Sequence, residues 1–106
     1  KRCMQQVKPA RKRRSEQSLR MVEIRRAVAS GRADERMQLE VQTAARTSNK
    51  RSYRVSMHLL LAKIYVQRGF GDSARGELED IAALKANTQD IREAREMLED
   101  MKKREA

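Results

Sequence analysis

The chain reads as an all-α protein, with about five helices arranged as antiparallel hairpins stacked into a short solenoid. Three observations predict this. Apolar residues recur at three-and-four spacing through most of the chain, the signature of one-sided helices. Aromatic residues are only 3% against 39% hydrophobic residues overall, which suits a thin core of Leu, Ile, Val, Met and Ala. With four Gly and one Pro, few positions force the backbone out of a helix.

Taken in order, residues 1–14, "KRCMQQVKPARKRR", have almost no apolar periodicity and hold the single proline. They are expected to form a flexible basic arm ahead of a helical domain over residues 15–106. A first helix can be capped by Ser15 or Ser18 and runs to Ser30, where Gly31 tolerates the left-handed backbone that ends helices. Its apolar face is modest: Leu19 and Val22, with Met21, Ile24 and Val28 offset from them. Asp34 can cap a second helix to about Thr47, with Met37, Val41, Ala44 and Ala45 on one side. "TSNK" interrupts it, because Ser and Asn compete for backbone bonds at helix ends.

The third helix, from about Lys50 to Arg68, has the strongest pattern: Tyr53, Met57, Leu60, Leu61 and Ile64 share one face. Leu59 and Val66 add a second apolar strip, so this helix should be covered on more than one side. "GFGD" supplies a corner, with Asp72 as the expected cap of a fourth helix reaching about Lys85 and burying Ala74, Leu78, Ile81 and Ala82. A second corner, "ANTQD", offers Asn87 or Thr88 as cap for a closing helix over 88–104. Ile91, Ala94, Leu98 and Met101 line its inner face. Its outer face spaces Glu99 with Lys103 and Asp100 with Arg104 for surface ion pairs.

Residues 58–86 resemble a tetratricopeptide repeat. Leu61, Ala62 and Tyr65 fall at its first-helix positions, Gly69 at its corner, and Ala74 and Leu78 on its second helix. Small Ala62 and Ala74 would let two helix backbones approach closely, while Leu61, Tyr65 and Leu78 fill the space beside that contact. His58 stands where the motif has an aromatic residue, and Ala86 where it closes with proline. The first two helices fit the motif poorly, and Gly31 to Gly69 is longer than one period of about 34 residues. Residues 57–101 also resemble the carboxy-terminal module of bacterial FimV-type proteins, in which one such repeat precedes a short closing helix. The alternative is an unrelated helical bundle built from the same residue types.

Chemistry finds little support. His58, the single histidine, has no nucleophile or ligand companions suggested by its neighbours, and its expected role is structural, with its polar edge on a backbone group or water. Cys3 excludes an internal disulfide framework and reads as a surface thiol, or as an acylation site if a membrane lies close. The acids Glu77, Glu79, Asp80, Glu93, Glu96, Glu99 and Asp100 interleave with Lys and Arg on solvated faces. "GFG" lacks the lysine and flanking strand of a phosphate loop. No catalytic residue, metal or cofactor is expected, and the reading is non-enzymatic.

Surfaces remain. The repeat resemblance implies that first helices line a concave groove for a partner peptide or amphipathic helix, placing Ser56, Leu59, Lys63, Val66 and Gln67 on it. The formal charge of +10 is lopsided: residues 1–30 contribute +8, residues 31–54 contribute +3, and residues 55–106 contribute −1. Lys8, Arg11, Lys12, Arg13 and Arg14, continued by Arg20, Arg25 and Arg26, form a field for anionic surfaces, whether nucleic acid or membrane. The arm has no aromatic residue to stack on bases, so its contacts would be sequence-tolerant. The sequence therefore predicts a cytoplasmic adaptor or scaffold that docks a protein partner, or the cytosolic part of a membrane-anchored protein. The rival is a small basic nucleic-acid-binding or ribonucleoprotein component. A small core further predicts a homodimer, or a place within a longer repeat array.

Overall fold

The computed structural model describes residues 19–105, and among these the regular structure is entirely helical. Helix α1 is described over 19–29; α2 spans Glu35–Thr47, α3 Arg51–Gln67, α4 Gly71–Ala82 and α5 Gln89–Glu105. The expected caps of α1 at Ser15 or Ser18, the basic arm and Cys3 lie outside the described residues. Each helix packs on the next, and α3 also touches α5, so α3 is the centre of the molecule.

The two corners after α1 and α3 are built alike. Gly31 and Gly69 take φ values of +74° and +83°, where an L side chain is strained. Around Gly69, Phe70 N–H donates to the Tyr65 carbonyl at 2.8 Å and Gly69 N–H to that of Val66 at 3.2 Å. Around Gly31, Arg32 bonds back to Ala27 at 2.8 Å and Gly31 to Val28 at 3.1 Å. Both are Schellman endings that satisfy the last carbonyls of a helix while reversing the chain. At the second corner the Phe70 and Tyr65 rings meet edge to face, 6.4 Å between centroids, and Arg68 lies 5.0 Å from the Phe70 centroid.

Caps follow local chemistry, with one correction. Asp34 accepts from Met37 N–H at 2.9 Å and opens α2. Thr88, rather than Asn87, caps α5 by accepting from Ile91 N–H at 3.3 Å. Asp72 does not cap α4. The Schellman turn delivers Phe70 directly to the N-cap, its carbonyl takes the Ala74 amide at 3.0 Å, and Asp72 falls within the first turn. There its charge still favours the free amide end. Helix α4 also stops at Ala82, short of Lys85. The Arg95 guanidinium of α5 donates to the carbonyls of Ala82 and Leu84, occupying acceptors that another helical turn would need.

Two core clusters flank α3. Ile24 and Val28 of α1, Val41 and Ala45 of α2, and Met57, Leu60, Leu61 and Ile64 of α3 form the first. Leu59 and Ala62 of α3 join Leu78 and Ile81 of α4 and Ile91, Ala94 and Leu98 of α5 in the second. Ala62 and Ala74 are both fully buried, as a close approach of helix backbones at small side chains requires.

Some expected apolar positions lie elsewhere. Leu19 and Val22 are exposed, because Met21, Ile24, Ala27 and Val28 set the inward face and Val22 lies about 200° around the helix from Ile24. Tyr53 is also exposed, in the first turn of α3, four residues before the first fully buried α3 position at Met57. The pairs Glu99–Lys103 and Asp100–Arg104 do not close among the described residues; all four side chains extend into solvent.

Candidate partner-binding groove

Alternate helices share one side of the molecule. On α3, Ser56, Leu59, Leu60, Lys63, Val66 and Gln67 line that side at helical spacing, with Leu59 and Leu60 buried at its base. Helix α1 supplies one flank through Arg25, Val28 and Ala29, and α5 the other through Asp90, Glu93 and Met97. Together α1, α3 and α5 enclose a groove of about 460 Å³.

All five residues predicted to face a groove line this one, but they differ in what they offer. Leu59 is 4% exposed and packs in the second core cluster, so it is structural. The expectation that it faces a partner is corrected: α5 covers it, as expected of a helix covered on more than one side. Val66, at 43% exposure, is the apolar side chain of the set that remains accessible.

The three polar members tie the groove together. Ser56 Oγ donates to Asp90 Oδ2 at 2.5 Å, joining α3 to α5. Lys63 Nζ lies 2.5 Å from Glu93 Oε2, a second α3–α5 link about two turns further along α3. Gln67 reaches the other flank, donating through Nε2 to the Val28 carbonyl and accepting from Ala33 N–H at 3.2 Å. These side chains hold the walls to the floor. They leave Arg25 as a groove cation with no ion pair among the described residues.

The basic residues divide similarly. Lys8, Arg11, Lys12, Arg13 and Arg14 lie outside the described residues. Arg20 is no free cation: its guanidinium grips Glu40 across two helices, with Nη2 at 2.6 Å and Nε at 3.1 Å from Oε2, and lies 3.7 Å from Glu23. Those hydrogen bonds to Glu40 hold its pKa above the ordinary arginine value. Arg25 and Arg26 are exposed.

His58 has a partner the sequence did not suggest. Its Nδ1 lies 2.7 Å from Glu77 Oε2, linking α3 to α4, in place of the expected backbone group or water. The pair is a polar contact between the two helices. Among the described residues no group of three or more His, Cys, Asp or Glu side chains converges as a metal site. No described helix is long and apolar enough to cross a membrane.

Several contributors were invisible to residue spacing alone. Glu93 and Met97 occupy one flank of α5, and periodicity cannot say which flank meets α3. Gln42 of α2, which donates to the Tyr65 hydroxyl at 2.7 Å, carried no sequence signal. No family model, curated protein or solved structure matches the chain, so the tetratricopeptide and FimV-type resemblances rest on its own residues.

Proposed function

We propose that the chain is a non-enzymatic docking module of the tetratricopeptide kind, with the groove over α1, α3 and α5 as its partner site. The observation that carries this reading is the placement of Ser56, Leu59, Lys63, Val66 and Gln67 on one concave face flanked by the preceding and following odd-numbered helices. In such folds the first helix of each hairpin faces the partner, and 58–86 is the segment with the repeat's residue spacing.

The partner is an amphipathic helix carrying an acidic residue beside its apolar stripe. Val66, Ala29 and Met97 present apolar surface, and Lys63 and the two groove acids are already engaged within the chain. Arg25 is left to select a carboxylate.

The test is selection of helical peptides from a displayed library against the full chain, followed by affinity measurement on wild type and on Val66→Glu. Selected peptides should share an acid next to apolar anchors. Val66→Glu should weaken them by about tenfold or more, about 1.4 kcal/mol, since it replaces an apolar contact by a charge and that carboxylate competes with the peptide's own acid for Arg25. Peptides that bind Val66→Glu as tightly as wild type, or a library that yields none, would refute the groove.

A further inference from the structure

A second concavity lies around the head of α3, between α1 and the end of α2, and encloses about 870 Å³. Its apolar base is Met21 and Ala44, both partly buried against the first core cluster. Arg25 of α1 and Lys50, which precedes α3, line it, and Tyr53 contributes an aromatic wall at 36% exposure.

The charge of this region belongs to the fold as well as to the arm. Residues 19–54 hold nine Lys/Arg against four acids. Three of those acids are already committed: Glu40 and Glu23 to Arg20, and Asp34 to the Met37 amide. Arg25, Arg26, Lys50, Arg51 and Arg54 therefore carry no ion pair among the described residues, and all are exposed. Of these five, Arg25 and Lys50 line the cleft, where Glu40 is neutralised by Arg20; unpaired like charges lining one recess repel one another until an anion neutralises them.

We propose that this cleft binds single-stranded nucleic acid, with Arg25 and Lys50 taking phosphates and Tyr53 stacking on a base over the apolar floor. An exposed ring beside cations is the arrangement that holds unpaired bases without reading their sequence. A duplex keeps its base faces stacked away from such a ring, and a flat bilayer presents its headgroups to crests rather than to a recess. The site is separate from the peptide groove. Arg25 borders both, whereas Lys50 and Tyr53 line the cleft and Val66 lines the groove.

The experiment uses the full chain and end-labelled oligouridine and oligothymidine, with anisotropy read across a potassium chloride series. The double variant Arg25→Gln/Lys50→Gln should reduce the slope of log affinity against log salt by about 1.4, at about 0.7 per lost phosphate contact on a single strand. Tyr53→Leu should weaken binding roughly 5- to 150-fold at fixed salt and leave the slope unchanged, as loss of one stacked base does. Val66→Asn, which removes the groove's accessible apolar side chain and adds no charge near Arg25, should alter neither quantity, which separates failure here from failure of the peptide groove. The proposal is overturned if Tyr53→Leu binds like wild type, or if the double variant keeps the full slope. It also falls if replacing Lys8, Arg11, Lys12, Arg13 and Arg14 by Gln abolishes binding while the cleft variants change nothing. Retention of the chain on phosphatidylserine vesicles without oligonucleotide binding would replace it with a membrane role.

Discussion

Two glycine-to-alanine substitutions should move stability in opposite directions, and the local backbone explains why. Gly69 sits at φ +83°, and the position a Cβ would take there has nothing within 4 Å, so steric clash does not enter. What remains is conformational: a left-handed residue with a Cβ costs about 1–2 kcal/mol. Alanine also stiffens the unfolded chain, which returns about 0.4–1 kcal/mol. Gly69→Ala should therefore destabilise by about 1 kcal/mol. Gly76 lies inside α4 with ordinary helical backbone and equally open surroundings. There both effects favour alanine, and Gly76→Ala should stabilise by about 0.5–1 kcal/mol. In a domain of this size each kcal/mol moves the Tm by roughly 4–8 °C, well within calorimetric resolution. Urea unfolding of the same two variants gives the free energies directly. A Gly69→Ala chain at or above the wild-type Tm would refute the Schellman corner that sets the α3–α4 hairpin. A destabilised Gly76→Ala chain would refute the placement of that residue on an open helix surface.

The groove face gives two further outcomes. Leu59→Ala should cost about 2–4 kcal/mol by urea unfolding, because Leu59 is buried beneath α5; a loss under about 1 kcal/mol would return it to the partner surface. Ala62→Leu should destabilise by about 1–3 kcal/mol although it adds apolar volume, because Ala62 is fully enclosed between helices; a neutral result would mean that α3 and α4 are not in close contact there.

What could be read in the sequence was whatever a helix decides within a few residues of itself. Asp34 and Thr88 lie at helix starts, Gly31 and Gly69 at helix ends, and the Met57–Ile64 stripe repeats within a single element. The burial of Ala62 and Ala74 was also legible, since small residues within an apolar stripe mark where helices meet. What could not be read depended on a neighbour's position. Leu59 and Val66 look alike along α3, and only the path of α5 buries the first and spares the second. Arg20 resembles any other cation of the basic half until α2 brings Glu40 to it. Asp72 is a good capping residue, but the turn before it had already committed the helix to start at Phe70.

The polar links across the groove bear on how a partner would be held. Ser56–Asp90 and Lys63–Glu93 fasten α5 to α3, and Gln67 fastens α3 to the α1–α2 corner. The Lys63–Glu93 pair is partly exposed, so its own contribution to stability is small, about 1 kcal/mol or less. Its effect on binding is of a different kind. Side chains already paired within the chain need not be ordered when a ligand arrives, and each long side chain spared that step saves about 0.5–1.5 kcal/mol. The same pairing removes Lys63, Asp90 and Glu93 from the set of charges that can choose a ligand. In the proposed docking module, recognition would then fall to Val66 and Met97 for apolar contact and to Arg25 for charge, a short set of contacts on walls fixed before a partner is met.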